Sequence, residues 1–415
     1  MTLVEKIFAR KLAKPGVSAG QISFVPVDLI VGTDVTVPLS IKIFKAMGAD
    51  KVFDPSRIVF INDHFVPAKD IASANLAKKM RVFAQEQNIE NYFEVGRCGI
   101  CHITVPEQGL VVPADLVIGA DSHTCTYGAL GAFAAGIGST DMAAAWATGE
   151  LWFKIPETLK VILKGKPGKY VSGKDIILTI IGKLGPAGAL YKVLEFTGQG
   201  LDYLSMADRF TLCNMAVESG AKSGIIAADR LTLQFLKNRT PRQGVCLKAD
   251  EDAVYSDELE IHLAGVNPVV AAPHDPSNIY DARKLEGINI HQVVIGSCTN
   301  GRIEDFRIAS EILKGRKVCT STRLILIPGS PWILKQMQRE GMLELFIDAG
   351  AAIGPSTCGP CIGGHMGVLA EDEVGLYTTN RNFIGRSGAR SAKVYLCSPA
   401  VAAFSAIEGK ITAPR

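Results

Sequence analysis

The sequence predicts an α/β protein built from three α/β/α units, with mainly parallel sheets grouped around one cleft. Three observations carry that expectation. Short Val- and Ile-rich runs alternate with helical patterns, as in parallel sheets covered by helices on both faces. A chain of 415 residues is long enough to bury two or three cores. Reactive residues also gather just after apolar runs, at the strand ends where open parallel sheets bind ligands.

The first segment, MTLVEKIFARKLAKPG, alternates charged and apolar residues as an amphipathic helix does, and it lacks the uninterrupted apolar core of a signal peptide. RIVFIND (57–63) and PADLVIGAD (113–121) read as strands, the second followed by the helical pattern FAAGIGSTDMAAAWATGELWF (133–153). GKYVSGKD (168–175) fits GxxxxGK but ends in Asp175 instead of the Ser or Thr that would bind Mg²⁺. It is therefore read as a Gly-rich turn before the helix DIILTIIGKLG. The polar stretch 237–260 looks like a loop or domain edge. HQVVIGSC (291–298), RLILIPG (323–329) and KVYLCSP (393–399) are further strands. Helices IEDFRIASEILKG (303–315) and PWILKQMQREGMLELFIDAG (331–350) follow the first two of these. Boundaries near 157 and 280 divide the chain into units 1–156, 157–280 and 281–415.

Apolar residues make up 47% and charged residues 20%, ordinary for a globular protein. A net charge of +3 is too weak to argue for nucleic acid or an anionic membrane. No apolar run approaches the roughly 18 residues needed to span a bilayer. The chain is read as cytoplasmic, where its ten cysteines are expected to be free, metal-bound or catalytic.

Four apolar runs end in reactive groups: Asp63 and His64, Asp121 with Ser122 and His123, Cys298, and Asn380 with Arg381. Two cysteine motifs invite familiar interpretations. CGICH (98–102) matches a c-type haem attachment signature, but such proteins are usually exported. CGPC (358–361) matches a thioredoxin-type redox motif, yet IGGH follows where a regular helix should continue. Glycines at 354, 359, 363 and 364 instead suggest a backbone that approaches something closely. With Cys298, Cys358 and Cys361 make three thiolates from two loops and no obvious fourth. Such a set suits an iron–sulfur cluster with one iron left open as a Lewis acid. A buried apolar role for Cys298 remains the competing interpretation.

GADSHT (119–124), NMAVESGAKSGI (214–225), GSCTNGR (296–302), TCGPCIGG (357–364) and TTNRNFIGR (378–386), in that order, resemble the aconitase superfamily. The resemblance covers nearly the whole chain. It implies an aconitase-like fold without the swivel domain, and a hydro-lyase that removes and re-adds water on a small dicarboxylate or tricarboxylate hydroxy acid. It also implies one [4Fe–4S] cluster per subunit, held by Cys298, Cys358 and Cys361 in the third unit, with one iron lacking a protein ligand. Asp63 and His64 match a pair in which the imidazole protonates the departing hydroxyl. His102 with Asp121, and His123 with Glu218, match further carboxylate–imidazole pairs. Asn214 and Asn380 match hydrogen-bond donors beside the cluster, and Arg381, Arg386 and Ser122 match substrate-binding positions. In length and style the chain is similar to the large subunits of the superfamily's two-subunit members, whose separate small subunit carries the swivel domain and the catalytic base. Two positions depart from relatives, with Thr33 and Ile103 standing where Gln is found. A cluster-dependent RNA-binding regulator is the alternative from another class. The weak net charge and the absence of a clustered basic tract speak against it.

Overall fold

The computed structural model describes residues 1–415. Three sheets organise the chain. The first is fully parallel, with strands in the order Asn91–Phe93, Ile58–Ile61, Leu29–Thr33, Leu116–Gly119 and Phe133–Gly136. The second, also parallel, runs Ser223–Ile226, Val193–Thr197, Thr158–Lys164 and Asp257–His262. The third has five parallel strands, Lys393–Cys397, Val374–Tyr377, Gln292–Ile295, Arg323–Leu326 and Ala351–Ile353. Two short antiparallel strands, Val269–Ala271 and Ile279–Asp281, extend one edge of it. The chain changes from second to third sheet between His262 and Val269.

The central strands Leu29–Thr33, Ile58–Ile61, Leu116–Gly119 and Gln292–Ile295 are buried at every position. Their continuous apolar runs, without alternation, are the consequence of helices on both faces. The apolar interior is not divided three ways. One core packs a single face of the first sheet against the N-terminal helix Leu3–Lys11. The other runs unbroken from the opposite face of that sheet through the second and third units. No helix is long and apolar enough to cross a membrane.

Three local expectations change. FAAG (133–136) is a strand, and the helix that follows is confined to Ser139–Thr148. Phe133 and Ala135 pack in one core and Ala134 in the other, so alternation across a sheet wins over helical period there. The segment 331–350 is two helices, Pro331–Arg339 and Met342–Ala349, broken at Gly341, whose φ of 71° ends the first. Within the polar stretch 237–260, residues 237–256 have no regular structure beyond turns, but Asp257–His262 forms an edge strand. Its outward acidic and polar residues suit an edge that is open to solvent.

Candidate active site

The carboxyl ends of strands from the first and third sheets meet at one site, where the Cys358 N–H donates to the Asp63 carbonyl at 2.9 Å. Strand Leu29–Thr33 delivers Asp34, Ile58–Ile61 delivers Asp63 and His64, and Leu116–Gly119 delivers Asp121 to His123. From the other side, Gln292–Ile295 leads to Cys298, Ala351–Ile353 to Cys358 and Cys361, and Val374–Tyr377 to Asn380 and Arg381. The second unit contributes differently, through the helix Met206–Met215 and the turn after it, which carry Asn214 and Glu218.

Asp34 shapes the first wall. Its carboxylate accepts the backbone N–H groups of Asp63, His64 and Phe65 at 3.1, 2.9 and 2.8 Å. The turn is thereby held so that both side chains of the Asp63–His64 pair project inward. Asp63 Oδ2 accepts from the Cys101 N–H at 2.9 Å. Its Oδ1 and the Nδ1 of His64 are buried, lack hydrogen-bond partners, and stand 3.6 Å apart. Burial opposes charge on the His64 ring, but the carboxylates of Asp63, Asp34 and Asp121 outweigh it and lift the imidazole to about 10. Burial also lifts Asp63 above its ordinary range, against the pull of His64.

Asp121 is the hub. It accepts from the His123 N–H at 2.7 Å and meets His102 Nε2 at 2.9 Å, while His64 Nε2 stands 4.0 Å from its other oxygen. His102 and His123 overcome burial to hold this carboxyl well below the usual range. The other nitrogen of His102 lies 3.1 Å from the Tyr127 hydroxyl. His123 Nε2 is 2.8 Å from Glu218 Oε1, and Arg381 Nε donates to both Glu218 oxygens. Against burial, His123 and then Arg381 hold Glu218 low. A continuous path of polar contacts therefore runs from Asp63 to Arg381. Ser122, beside the hub, is exposed.

The thiols form the floor. All ten cysteines are free. Asn380 Nδ2 donates to Cys298 Sγ at 3.4 Å and to Asn214 Oδ1, and Cys361 Sγ lies 3.4 Å from Asn380 Oδ1. Asn214 in turn donates to Thr126 Oγ1 at 2.8 Å. Cys358 Sγ lies within 4.8 Å of ligand atoms of both Asp63 and His64. Thr357 Oγ1 donates to the Asp63 carbonyl at 2.6 Å, which pins the cysteine loop to the first wall. Arg386 Nη2 is 3.9 Å from Cys361 Sγ, and no carboxylate pairs with this guanidinium. The Cys358 thiol, then Arg386 and His123, hold Cys361 well below the ordinary thiol range despite burial. Burial and the adjacent Cys361 push Cys298 up to about 12.

The backbone here is shaped for close approach. A Cβ on Gly363, at φ 61°, would meet the Arg386 carbonyl at 2.7 Å. Ser297, just before Cys298, has a φ of 75°, a left-handed conformation that costs on the order of 1–3 kcal/mol and clusters at functional sites.

The rival motif interpretations fail on the same geometry. His102 is buried and engaged by Asp121 and Tyr127 instead of facing an open cofactor slot. After Cys361 the chain turns without forming a helix, so CGPC does not open one as a thioredoxin-type motif would. Ile103 packs against the third unit, since a Cβ on Gly329 would meet its Cδ1 at 2.1 Å. Thr33 is buried, its hydroxyl 3.3 Å from that of Thr36. Asp34, Tyr127 and Thr126 join the site without having been singled out in the sequence. Asp34 follows an apolar run and obeys the same strand-end rule as its neighbours.

Fold and site together define an α/β protein whose cleft sets three free thiols opposite a wall of carboxylate–imidazole pairs. A model of the Aconitase family (aconitate hydratase) matches residues 5–284 and 278–409. The chain is 56% identical over 414 residues to a 3-isopropylmalate dehydratase large subunit of Acetivibrio thermocellus, covering 100% of this chain and 99% of that protein. It is 56% identical over 415 residues to the protein of the same name from Caldicellulosiruptor saccharolyticus, covering 100% and 97%. A crystal structure of Thermococcus kodakaraensis aconitase X in its holo-form shares the fold at a TM-score of 0.52 and 13% identity, covering 92% of this chain and 89% of that one. The chain belongs to the aconitase family. Membership implies a [4Fe–4S] cluster, and the residues present fit one: three unpaired thiols, Cys298 and Cys361 buried and Cys358 half-buried, lie beside glycine backbone where bulk would collide.

Proposed function

We propose that this chain is the cluster-binding large subunit of a 3-isopropylmalate dehydratase, isomerising 2- and 3-isopropylmalate by dehydration and rehydration in leucine biosynthesis. The observation that carries the chemistry is that the His64 imidazole, set among three carboxylates that favour its protonated form, lies beside Cys358, and the Arg386 guanidinium, without a carboxylate partner, lies beside Cys361. The substrate assignment rests on relatives at 54–56% identity over essentially full length that bear this name.

Cys298, Cys358 and Cys361 hold the cluster. When bound, it would supply Lewis-acid chemistry toward the C–O bond that breaks, since the three cysteines would leave one iron open. His64 stores the proton that the departing hydroxyl takes up, and Asp63 orients the ring. Asp121 keeps His102 and His123 in place behind the reacting groups. Arg386 and the outer guanidinium nitrogens of Arg381 clamp the two carboxylates, a planar role that Lys fills poorly. Ser122 lies at the rim of this cleft, where substrate enters. Asn214 and Asn380 hold hydrogen bonds toward the thiols. The base that takes the carbon-bound proton belongs to a separate small subunit with the swivel domain, whose surface also encloses substrate. The assembled enzyme works in the cytoplasm.

The test is anaerobic reconstitution of the chain with iron and sulfide, addition of the cognate small subunit, and assay of 2-isopropylmalate isomerisation. Homocitrate and 2,3-dimethylmalate are tried in parallel. Preferential turnover of either alternative would overturn the substrate assignment. Failure to take up iron would overturn the class.

A further inference from the structure

The lysine of the rejected GxxxxGK match lies at the foot of the site. Lys174 is 0% exposed, in the first turn of the helix Gly173–Leu184, which Ser172 and Asp175 cap. Its Nζ donates to the carbonyls of Thr378, at 2.8 Å, and Thr379. Those two residues end strand Val374–Tyr377 and lead directly into Asn380 and Arg381. No carboxylate pairs with the ammonium, because the adjacent Asp175 spends its oxygens on the N–H groups of Ser172 and Val269. A second buried cation sits beneath the Cys298 turn. Arg302 donates to the carbonyls of Cys298 and Thr299 at 3.0 and 3.1 Å and to that of His102 at 3.3 Å, with Phe210 against its plane.

Two buried cations whose side-chain hydrogen bonds all go to carbonyl dipoles are costly in a low-dielectric interior. Neither side chain forms an ion pair, although the Asp305 carboxylate, which accepts the Arg302 backbone N–H, acts on both. Arg302 holds the Cys298 carbonyl and Lys174 holds the lead-in to Asn380, whose Nδ2 donates to Cys298 Sγ at 3.4 Å. Burial draws the Lys174 ammonium down to about 8, resisted first by the thiol of Cys397, which is outside the three-thiol set, then by Cys361 and Cys298 within it, and by the Asp305 carboxylate. Three thiolates around a bound cluster would place net negative charge on that side of the lysine.

We propose that Lys174, seconded by Arg302, is the buried counter-ion of the thiolate-bound cluster and the positioning residue for the Asn380–Arg381 loop. The inference rests on the cluster reading above. It separates two effects of one side chain. The charge tunes the cluster, whose potential responds to nearby charge and hydrogen bonding. The donor hydrogens hold the loop.

Two variants of similar length divide them. Lys174→Gln keeps N–H donors for the Thr378 and Thr379 carbonyls without the charge, and Lys174→Met removes both. In the reconstituted full chain, both variants should shift the cluster's midpoint potential to more negative values. Both should also lose iron to a chelator about tenfold faster or more, the scale of lost outer-sphere partners. Only Lys174→Met should also raise KM for isopropylmalate in the assembled enzyme, because only it frees the loop. The iron-free chain should melt no lower in Lys174→Gln than in wild type, since a buried charge without a carboxylate partner has been removed while donors for both carbonyls remain. A purely structural lysine would lower melting with and without iron and leave the potential of Lys174→Gln at the wild-type value. That result would overturn the proposal. Wild-type chain that takes up no iron would instead overturn the cluster reading itself.

Discussion

Arg381 Nε donates to both oxygens of Glu218, at 2.9 and 3.0 Å, while the same carboxylate meets His123 at 2.8 Å. Glu218 thus joins the guanidinium to the imidazole wall and spends only one of Arg381's nitrogens in doing so. Glu218→Ala should destabilise the chain by about 3 kcal/mol, the low end for breaking a buried pair because Arg381 keeps some solvent contact. Urea unfolding of the isolated chain measures this. In the assembled enzyme the same variant should raise KM, because Arg381 is no longer aimed.

Arg386 differs in having no acidic partner. Arg386→Lys should lower kcat/KM about tenfold or more with little change in melting temperature, since the bidentate fork is lost and no internal ion pair is broken. Unchanged kinetics with a lowered melting temperature would assign Arg386 to bracing its own loop.

Replacing Cys298, Cys358 or Cys361 by Ser should abolish the brown absorbance of reconstituted protein. Cys98→Ser and Cys101→Ser should retain it. Iron content and absorbance around the cluster bands distinguish the two groups. A cluster lost in Cys98→Ser would mean that the ligand set is wrong.

His64 should remain charged at neutral pH. Its folded value, lifted to about 10, lies above the ordinary 6.5, so the folded state binds the proton more tightly than the unfolded chain. The stabilisation is therefore complete below about pH 6.5 and disappears as pH rises through about 10. Ring-nitrogen NMR should show both nitrogens protonated at pH 8. The stability gap between wild type and His64→Asn should close by pH 11. The same variant should lower kcat by roughly 10²–10⁴, the usual range for losing a positioned acid.

The reconstituted chain alone should bind its cluster and be catalytically silent, gaining turnover only with the small subunit. Proton abstraction needs a base within hydrogen-bond reach, and loss of such a group costs roughly 10²–10⁴ in rate. Full turnover by the isolated chain would mean that one of its own residues is the base.

The first and third sheets were legible because their central strands are apolar without interruption, and Asp63, Asp121, Cys298 and Asn380 because they follow such runs; no strand of the second sheet was singled out, since Thr158–Lys164 alternates and Asp257–His262 is largely polar. Strand Ala351–Ile353 was missed, being only three residues long and lying directly after a helix. Asn214 and Glu218 could be placed only by family resemblance, since they lie on a helix and turn that no strand-end rule selects. Asp34 was passed over because its task is to hold backbone N–H groups, which leaves no mark on a sequence beyond one polar residue. Lys174 appeared in the sequence only as part of a phosphate-loop match. Its actual partners are carbonyls some 200 positions away, and such pairing is set by how the second unit packs on the third.

The irregular stretch 237–256 acquires practical meaning from the undivided interior beneath it. Because one apolar core passes through all three units, severing the chain at a sheet boundary would expose interior surface on both fragments and favour aggregation. New termini, tags or reporter insertions belong in 237–256, where exposed polar backbone carries little of that interior and chain breaks are best tolerated.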